Sequence, residues 1–399
     1  MSNVQLNISG ENWFKDPDLL AVMSALNKDG DNARVVGGAV RDTLLNIFWK
    51  RKRKIGDVDL ASKLVPEENM SRLKHAGINV IPTGIKHGTV TAILNNKPFE
   101  ITTLRRDVTT DGRHAEVEFT EDWVEDAKRR DFTINALYLD QHGDVYDPLD
   151  GFDDIKRAKV CFIGDAKKRI EEDALRILRF FRFSSDIEVG GVDEQGMLAC
   201  VELKNMIRGL SGERIREEFK KILASKRARQ VIPVLATIGI LREILPDYDE
   251  YGEFLKYVKR ENKLSRKNLM GRLSCLLPLD EKIIIKTSRH LKLSNKDRDV
   301  LLAYAREYHS HDLTAITLRR VIYRYGKEVV IHHLIKQDKL DPKTLNYIKD
   351  YHVPELPVTG KDLLKEGWKT GREMGAELKR REQAWIEADF NFSETEALH

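Results

Sequence analysis

The feature that most constrains this 399-residue chain is a change of period. Up to the turn-rich stretch "DPLDGFDDI", Asp147 to Ile155, short β-rich runs alternate with helix-length segments. "ARVV" reads as a strand, "AVRDTLLNIF" as a helix, "DVDLAS" as a strand and "EENMSRLKHAG" as a helix stopped by glycine. "HGTVTAIL" and "PFEITTL", separated by a polar turn, predict a hairpin. Beyond Gly151 nearly every segment is amphipathic at helical spacing, as in "RIEEDALRILRFFRF", "SGERIREEFKKILAS" and "ITLRRVIYRYGKEVVIHHLIKQ". The class expected is α+β, a mixed sheet with helices followed by an all-α assembly. No repeat of fixed period and no low-complexity tract interrupts it.

Composition narrows the setting. Hydrophobic residues make up 41% of the chain, ample for real cores, and the net charge is a mild +4. Cys161, Cys200 and Cys275 are odd in number and form no C-x-x-C, which argues against a disulfide framework and a structural zinc site. The start "MSNVQLNISGENWF" has neither a basic head nor an apolar core, and no apolar run is long enough to span a bilayer. A cytoplasmic protein without a membrane partner is expected.

Chemistry first shows in "IGDVDLAS". On a strand Asp57 and Asp59 face one side while Val58 and Leu60 face the other. Paired carboxylates repel, so this is either a solvated edge or a cation site. Upstream, "VVGGAVRD" runs a strand into Gly37 and Gly38 and then into a helix carrying Arg41 and Asp42. Glycine backbone and a helix N-terminus suit a phosphate, although the spacing matches neither a Walker A loop nor a dinucleotide fingerprint. Glu100 points opposite to Phe99 and Ile101, and is either a third carboxylate on that sheet face or a strand-edge charge. Three carboxylates around Mg²⁺ suit nucleotidyl transfer. The run "KRKRK" just before reads as a nucleic-acid patch, a nuclear localisation signal or a solvated loop.

"GGAVRD", "GDVDLAS", "RRDFTINALY", "DPLDGFDDI", "EDALRILRFFRF" and "SGERIREEF" follow in that order over residues 35 to 223. Together they resemble the bacterial-type (class II) tRNA nucleotidyltransferase and poly(A) polymerase family. The resemblance implies a polymerase-β-like palm over residues 1–150, a helical neck over 151–223, a body over 224–300 and a tail over 301–399. It implies that Asp57 and Asp59 are catalytic metal ligands, with Glu100 beside them. Arg129, Arg130, Asp131 and Asn135 fall in the family's ribose and triphosphate motif, where guanidiniums neutralise phosphate and Asp and Asn read hydroxyls; a salt bridge at a helix start is the plainer reading. Asp173 and Arg176, three apart on one helical face, read the incoming base without a template in this family. Cytosine and adenine offer an amine beside a ring-nitrogen acceptor, which a carboxylate and a guanidinium match, whereas uracil and guanine present the reverse. A surface ion pair is the plainer alternative. Arg179 continues the face toward phosphate or base. "DPLDGFDDI" matches a hinge built of ordinary turn residues, and "SGERIREEF" a scaffold helix with Ser211 near its cap.

The resemblance is strongest to CCA-adding enzymes, through "IPTGIKHGTVTAI" and the C-terminal "LPVTGKDLLKEGWKTGREMGAEL". It implies a template-independent enzyme adding CMP, CMP and AMP to tRNA from CTP and ATP. A poly(A) polymerase, an A-only or CC-only enzyme, and a non-catalytic RNA-binding module are the alternatives. A phosphohydrolase tail is disfavoured because His311-Asp312 is the only His-Asp pair. "LRRVIYRYGK" is a candidate tRNA-binding face or a solvated helix. The link "NIFWKRKRKI", Asn46 to Ile55, is longer than the family's usual one, and either shields the site or touches RNA. Oligomeric state is not legible.

Overall fold

The computed structural model describes residues 6–111, 114–187, 191–305 and 314–391; the His311-Asp312 pair lies outside the described residues. The chain divides into two compact units, Met1–Ile244 and Leu245–His399.

Among the described residues of the first unit nine strands occur: β1 (Ala33–Val36), β2 (Asp59–Ser62), β3 (Asn79–Gly84), β4 (Thr89–Leu94), β5 (Lys97–Thr103), β6 (Arg105–Asp111), β7 (His114–Phe119), β8 (Tyr138–Leu139) and β9 (Val145–Tyr146). Seven form one mixed sheet in the order β3-β4-β5-β2-β1-β8-β9, and β6 and β7 make a separate antiparallel ribbon. Among the described residues only the β2–β5 pairing is parallel. Asn95 and Asn96, both at positive φ (49° and 62°), close the two-residue turn from β4 to β5, where Leu94 faces Lys97.

The sheet is flanked by α1 (Pro17–Leu26), α2 (Gly38–Trp49), α3 (Pro66–His75) and α4 (Trp123–Lys128). From Gly151 onward the first unit is helical, with α5 (Gly151–Arg157), α6 (Ala166–Glu172), α7 (Leu175–Ile187), α8 (Glu194–Glu202), α9 (Gly212–Ala224), α10 (Ala228–Thr237) and α11 (Ile240–Ile244). Gly151 has a steric cause: a Cβ there would stand 2.3 Å from the Thr133 carbonyl oxygen. The switch of period in the sequence therefore coincides with the first residue of α5.

Among the described residues the second unit has helices only: α12 (Gly252–Lys263), α13 (Leu269–Ser274), α14 (Glu281–His290), α15 (Asn295–Ala305), α16 (Ala315–Tyr325), α17 (Lys327–Lys336), α18 (Pro342–Asp350), α19 (Gly360–Lys365) and α20 (Arg372–Glu387). Its centre holds the buried Arg272–Glu261 ion pair, 2.7 Å, and His332 stacked on Tyr304.

Several expectations need correction. β2 begins at Asp59, so Asp57 lies on the approach to the strand and not within it. "RIEEDALRILRFFRF" is not one helix: Asp173 ends α6 in an extended conformation, φ −154° and ψ 101°, and α7 starts two residues later. "ITLRRVIYRYGKEVVIHHLIKQ" breaks at Gly326, φ +81°. In "LRRVIYRYGK", Arg319 pairs with Asp389, Arg320 donates to the Glu387 carbonyl and Arg324 to Gln383, so these arginines hold the C-terminal helix. Ser211 stands at the N-cap of α9, but its side chain makes no capping bond. The strands β3 and β6 to β9 were not legible as strands.

Candidate active site

β1 runs straight into α2 through Gly37, whose φ of +75° belongs to a region that side chains with a Cβ avoid. The turn leaves the first N–H groups of α2 without helical partners beside the cavity that Gly37 and Gly38 line. Antiparallel pairing sets Asp59 opposite Val36, the residue before that turn. The parallel pairing of Leu60 with Ile101 puts Asp59 and Glu100 at the same level on neighbouring strands. Burial pushes the Asp59 carboxyl up, and the nearby Glu100 and Asp57 charges push it further; Arg130 works against them. Asp59 thus feels both neighbouring carboxylates.

That repulsion is what a hard divalent cation relieves, and the donors are all oxygens. Among the described residues no three His, Cys, Asp or Glu side chains stand closely enough to cage an ion by themselves. The pair Asp57 and Asp59 nevertheless fits a cation such as Mg²⁺, which takes one or two carboxylates and completes its shell with substrate phosphate.

Beside the carboxylates opens a cavity of about 490 Å³. Its lining includes Gly37, Gly38, Arg41 and Asp59 from the sheet side, Arg129, Arg130, Asp131 and Asn135 from the segment after α4, and Asp173, Arg176 and Arg179 from the α6–α7 region. Asp57 and Glu100 do not line it. Arg105, Phe183 and Arg214 do, and sequence reasoning missed them as site residues. Arg214 lies in "SGERIREEF", which was read as scaffold; Arg105 begins a strand that was not recognised.

The site arginines are held by buried acids. Asp126 of α4 is 1% exposed and binds Arg129 at 2.7 Å, Arg130 at 2.9 Å and the Tyr138 hydroxyl at 2.8 Å. Burial raises its carboxyl, but Arg130 and Arg129 prevail and hold it down at about 2. Asp126 was also missed, although an acid three and four residues before paired arginines on a helical turn is a visible signal. Asp131, 8% exposed, accepts from Asn135 Nδ2 at 2.9 Å and from Arg179 Nε at 2.7 Å. Burial opposes its charge, but Arg179 and the Asn135 hydrogen bond hold its carboxyl below the usual range. Asn135 Oδ1 in turn accepts from Arg41 Nη1 at 2.7 Å, and Asp42 grips the same guanidinium through Nε at 3.0 Å.

Asp173 and Arg176 both line the cavity, but they do not pair. Asp173 accepts from the Leu175 N–H and binds Arg214 at 2.8 Å. Arg176 donates to Glu172 at 2.6 Å and to the carbonyls of Arg169 and Arg129. The break between α6 and α7 is what frees Asp173 from the helical face and turns it toward α9.

Comparison with known proteins points one way. Residues 33–161 match the family model described as the poly A polymerase head domain, and residues 192–251 one described as a probable RNA and SrmB-binding site of polymerase A. The chain is similar to mitochondrial CCA tRNA nucleotidyltransferase 1 of Mus musculus, 36% identical over 386 residues, covering 93% of this chain and 86% of the relative. It is 31% identical over 380 residues to the CCA-adding enzyme of Lactobacillus helveticus, covering 90% of each. Among solved structures it resembles the Bacillus stearothermophilus CCA-adding enzyme in complex with CTP, with a TM-score of 0.74, 28% identity, and 93% and 92% of the two chains covered.

Proposed function

Because the chain belongs to the CCA-adding tRNA nucleotidyltransferase family, we propose that it adds CMP, CMP and AMP, from CTP and ATP, to the 3′ end of tRNA. The observation that carries this reading is one cavity, opening at Asp59 beside the other two carboxylates, that is lined by a helix N-terminus and a wall of arginines held by buried acids. A triphosphate needs the carboxylates, the N-terminus and the arginines together.

In this reading Asp57 and Asp59 would hold Mg²⁺, which would supply charge neutralisation at the transferred phosphate and activation of the attacking hydroxyl. Glu100 stands beside the pair and keeps the site electronegative. Arg129 and Arg130 bind the phosphates, with Arg41 and the Gly37-Gly38 turn along their flank. Asp131 and Asn135 orient the ribose. Asp173 and Arg176 read the base edge; for Asp173 this requires release from Arg214, so base recognition is a competition between ligand and Arg214 for one carboxylate. Arg179 holds Asp131. Residues 1–150 serve as head, 151–223 as neck, 224–300 as body and 301–399 as tail, and the place of action is the cytoplasm. No described helix is long and apolar enough to cross a membrane.

The test is product length on a tRNA lacking its 3′ end. Three added nucleotides, C, C and A, are expected, with no A-tract on unstructured RNA. Long ladders on both RNAs with ATP alone would replace this reading with poly(A) synthesis. Asp59→Ala is expected to lower incorporation by at least about 10³-fold while tRNA affinity changes little.

A further inference from the structure

The basic link read from the sequence as a shield or an RNA contact has a definite structure. Asn46 clamps it, its side chain donating to the Arg53 carbonyl at 2.9 Å and accepting from the Arg53 N–H at 2.8 Å. Within the extended run the side chains alternate. Arg51 and Arg53 turn inward: Arg51 donates to the carbonyls of Asp186 and Ile187, both at 2.6 Å, and Arg53 to the Asp186 carbonyl at 2.5 Å. These are end carbonyls of α7, which lack helical partners and sit at the negative end of the helix dipole. Lys52 and Lys54 turn outward and are exposed.

This arrangement builds a second cavity, about 740 Å³, larger than the nucleotide pocket. The link supplies four cations to it, Arg51 through Lys54. The end of α9 and the residues just after it supply Lys221, Lys226 and Arg227. Against these seven stand Asp42 and Asp186 in the lining and Glu218, which pairs with Lys221 at 3.2 Å. The whole chain carries only +4, so the surplus in this one cleft equals the protein's net charge. Asp42 is held by Arg53 and accepts from Arg41 of the nucleotide pocket, while Lys52, Lys54 and Lys226 have no carboxylate partner among the described residues. Burial first, and then the Arg53 and Arg227 charges, disfavour the charged form of Arg51, with Asp186 working against them.

We infer that this cleft binds the sugar-phosphate backbone of the RNA substrate close behind its 3′ end. Three facts select RNA backbone over a free nucleotide. The cations form a row along an extended segment, as a polyanion requires. No aromatic side chain lines the cleft to stack a base. The row also runs into the carboxylates: Lys54 is three residues before Asp57, at most about 11 Å along the chain. A phosphate held there keeps the strand near the atoms that extend it. Arg51 and Arg53 shape the cleft, and Lys52, Lys54 and Lys226 are its free charges.

The inference rests on the nucleotidyl-transfer reading above, and the experiment separates the two. The triple variant K52A/K54A/K226A is compared with the wild-type chain in binding of tRNA lacking its 3′ end, across a series of KCl concentrations, and in nucleotide addition with RNA or CTP varied. The expected result is about tenfold weaker RNA binding, a matching rise in KM for RNA, and a salt slope shallower by about 2, from roughly 0.7 per lost phosphate contact. The variant K52R/K54R/K226R should retain wild-type affinity. Unchanged affinity and slope in K52A/K54A/K226A would overturn the inference. So would unchanged RNA binding with altered inhibition by inorganic pyrophosphate, which would assign the cleft to a small anion. Failure of the wild-type chain to add nucleotides would instead sink the reading of function and leave the binding comparison intact.

Discussion

Two buried acids, one in each unit, show how similar parts serve different ends. Asp126 in the first unit holds two guanidiniums and a tyrosine hydroxyl. Glu261 in the second holds one guanidinium, that of Arg272, and accepts from the Asn268 N–H. Burial works against both carboxylates. At Asp126 the two bound arginines outweigh it and the carboxyl is held down at about 2; at Glu261 burial outweighs the bound Arg272, the Asn268 N–H and the charge of Arg266, and the carboxyl is pushed up. The balance of burial against bound cations decides the sign. The first network also keeps surplus positive charge and turns it to a cavity, because Arg129 and Arg130 line the cavity beside Asp59. The second closes on itself, with side chains 2% and 0% exposed. A surplus facing a cavity is a binding device, whereas a closed pair joins helices.

Alanine at each acid should break the comparison most visibly. Asp126→Ala is expected to raise KM for CTP and ATP and to lower kcat/KM by about 10²-fold, because two arginines lose the anchor that aims them. Glu261→Ala should instead cost about 3 kcal/mol of stability by removing the carboxylate that the buried Arg272 pairs with, with KM for nucleotide unmoved. Nucleotide titration and thermal unfolding on both variants check this. Equal effects on KM would show that the distinction is false.

A smaller effect sharpens it through pH. The Asp126 carboxyl is depressed on folding, so its contribution, about 2 kcal/mol, is present above about pH 4 and is lost as pH falls toward about 2. The Glu261 carboxyl is raised on folding, so its ionisation subtracts stability as pH rises through the folded value. Asp126→Asn should therefore flatten the acid limb of the unfolding midpoint against pH, and Glu261→Gln should flatten the profile on the other side of the ordinary carboxylate range. Flattening on the same side in both would remove the difference in sign.

The smallest expected effect lies in the helix that supplies Arg214. Ser211 occupies the N-cap of α9 without a capping bond, so Ser211→Ala should change stability by less than about 0.5 kcal/mol, whereas a working serine cap is worth about 1. Thermal unfolding distinguishes the two. A loss near the larger figure would mean that the hydroxyl caps α9 after all.

What the sequence by itself determined was local. The change from alternating segments to helical period marks Gly151, and the glycine that needs positive φ, Gly37, is visible between "ARVV" and the α2 pattern. The D-x-D pair, Glu100 and the arginine motif could be chosen because order and spacing along the chain carry them. Tertiary structure decided what depends on distant pairing. Asp173 and Arg176 look like one helical face at three-residue spacing, but Asp173 caps α7 and turns to Arg214, forty-one residues on. Strand β6, "RRDVTTD", is polar and charged, without the apolar alternation by which a buried face betrays a strand, whereas β7, "HAEVEF", does alternate Ala115, Val117 and Phe119 with polar residues and pairs with a partner that shows no such pattern. "KRKRK" is a bare charge run until Arg51 and Arg53 find the end of α7, and only then do alternate residues acquire different roles. Backbone period is written in neighbours three or four positions apart; the partner of a charge is set by which chain ends the fold brings together.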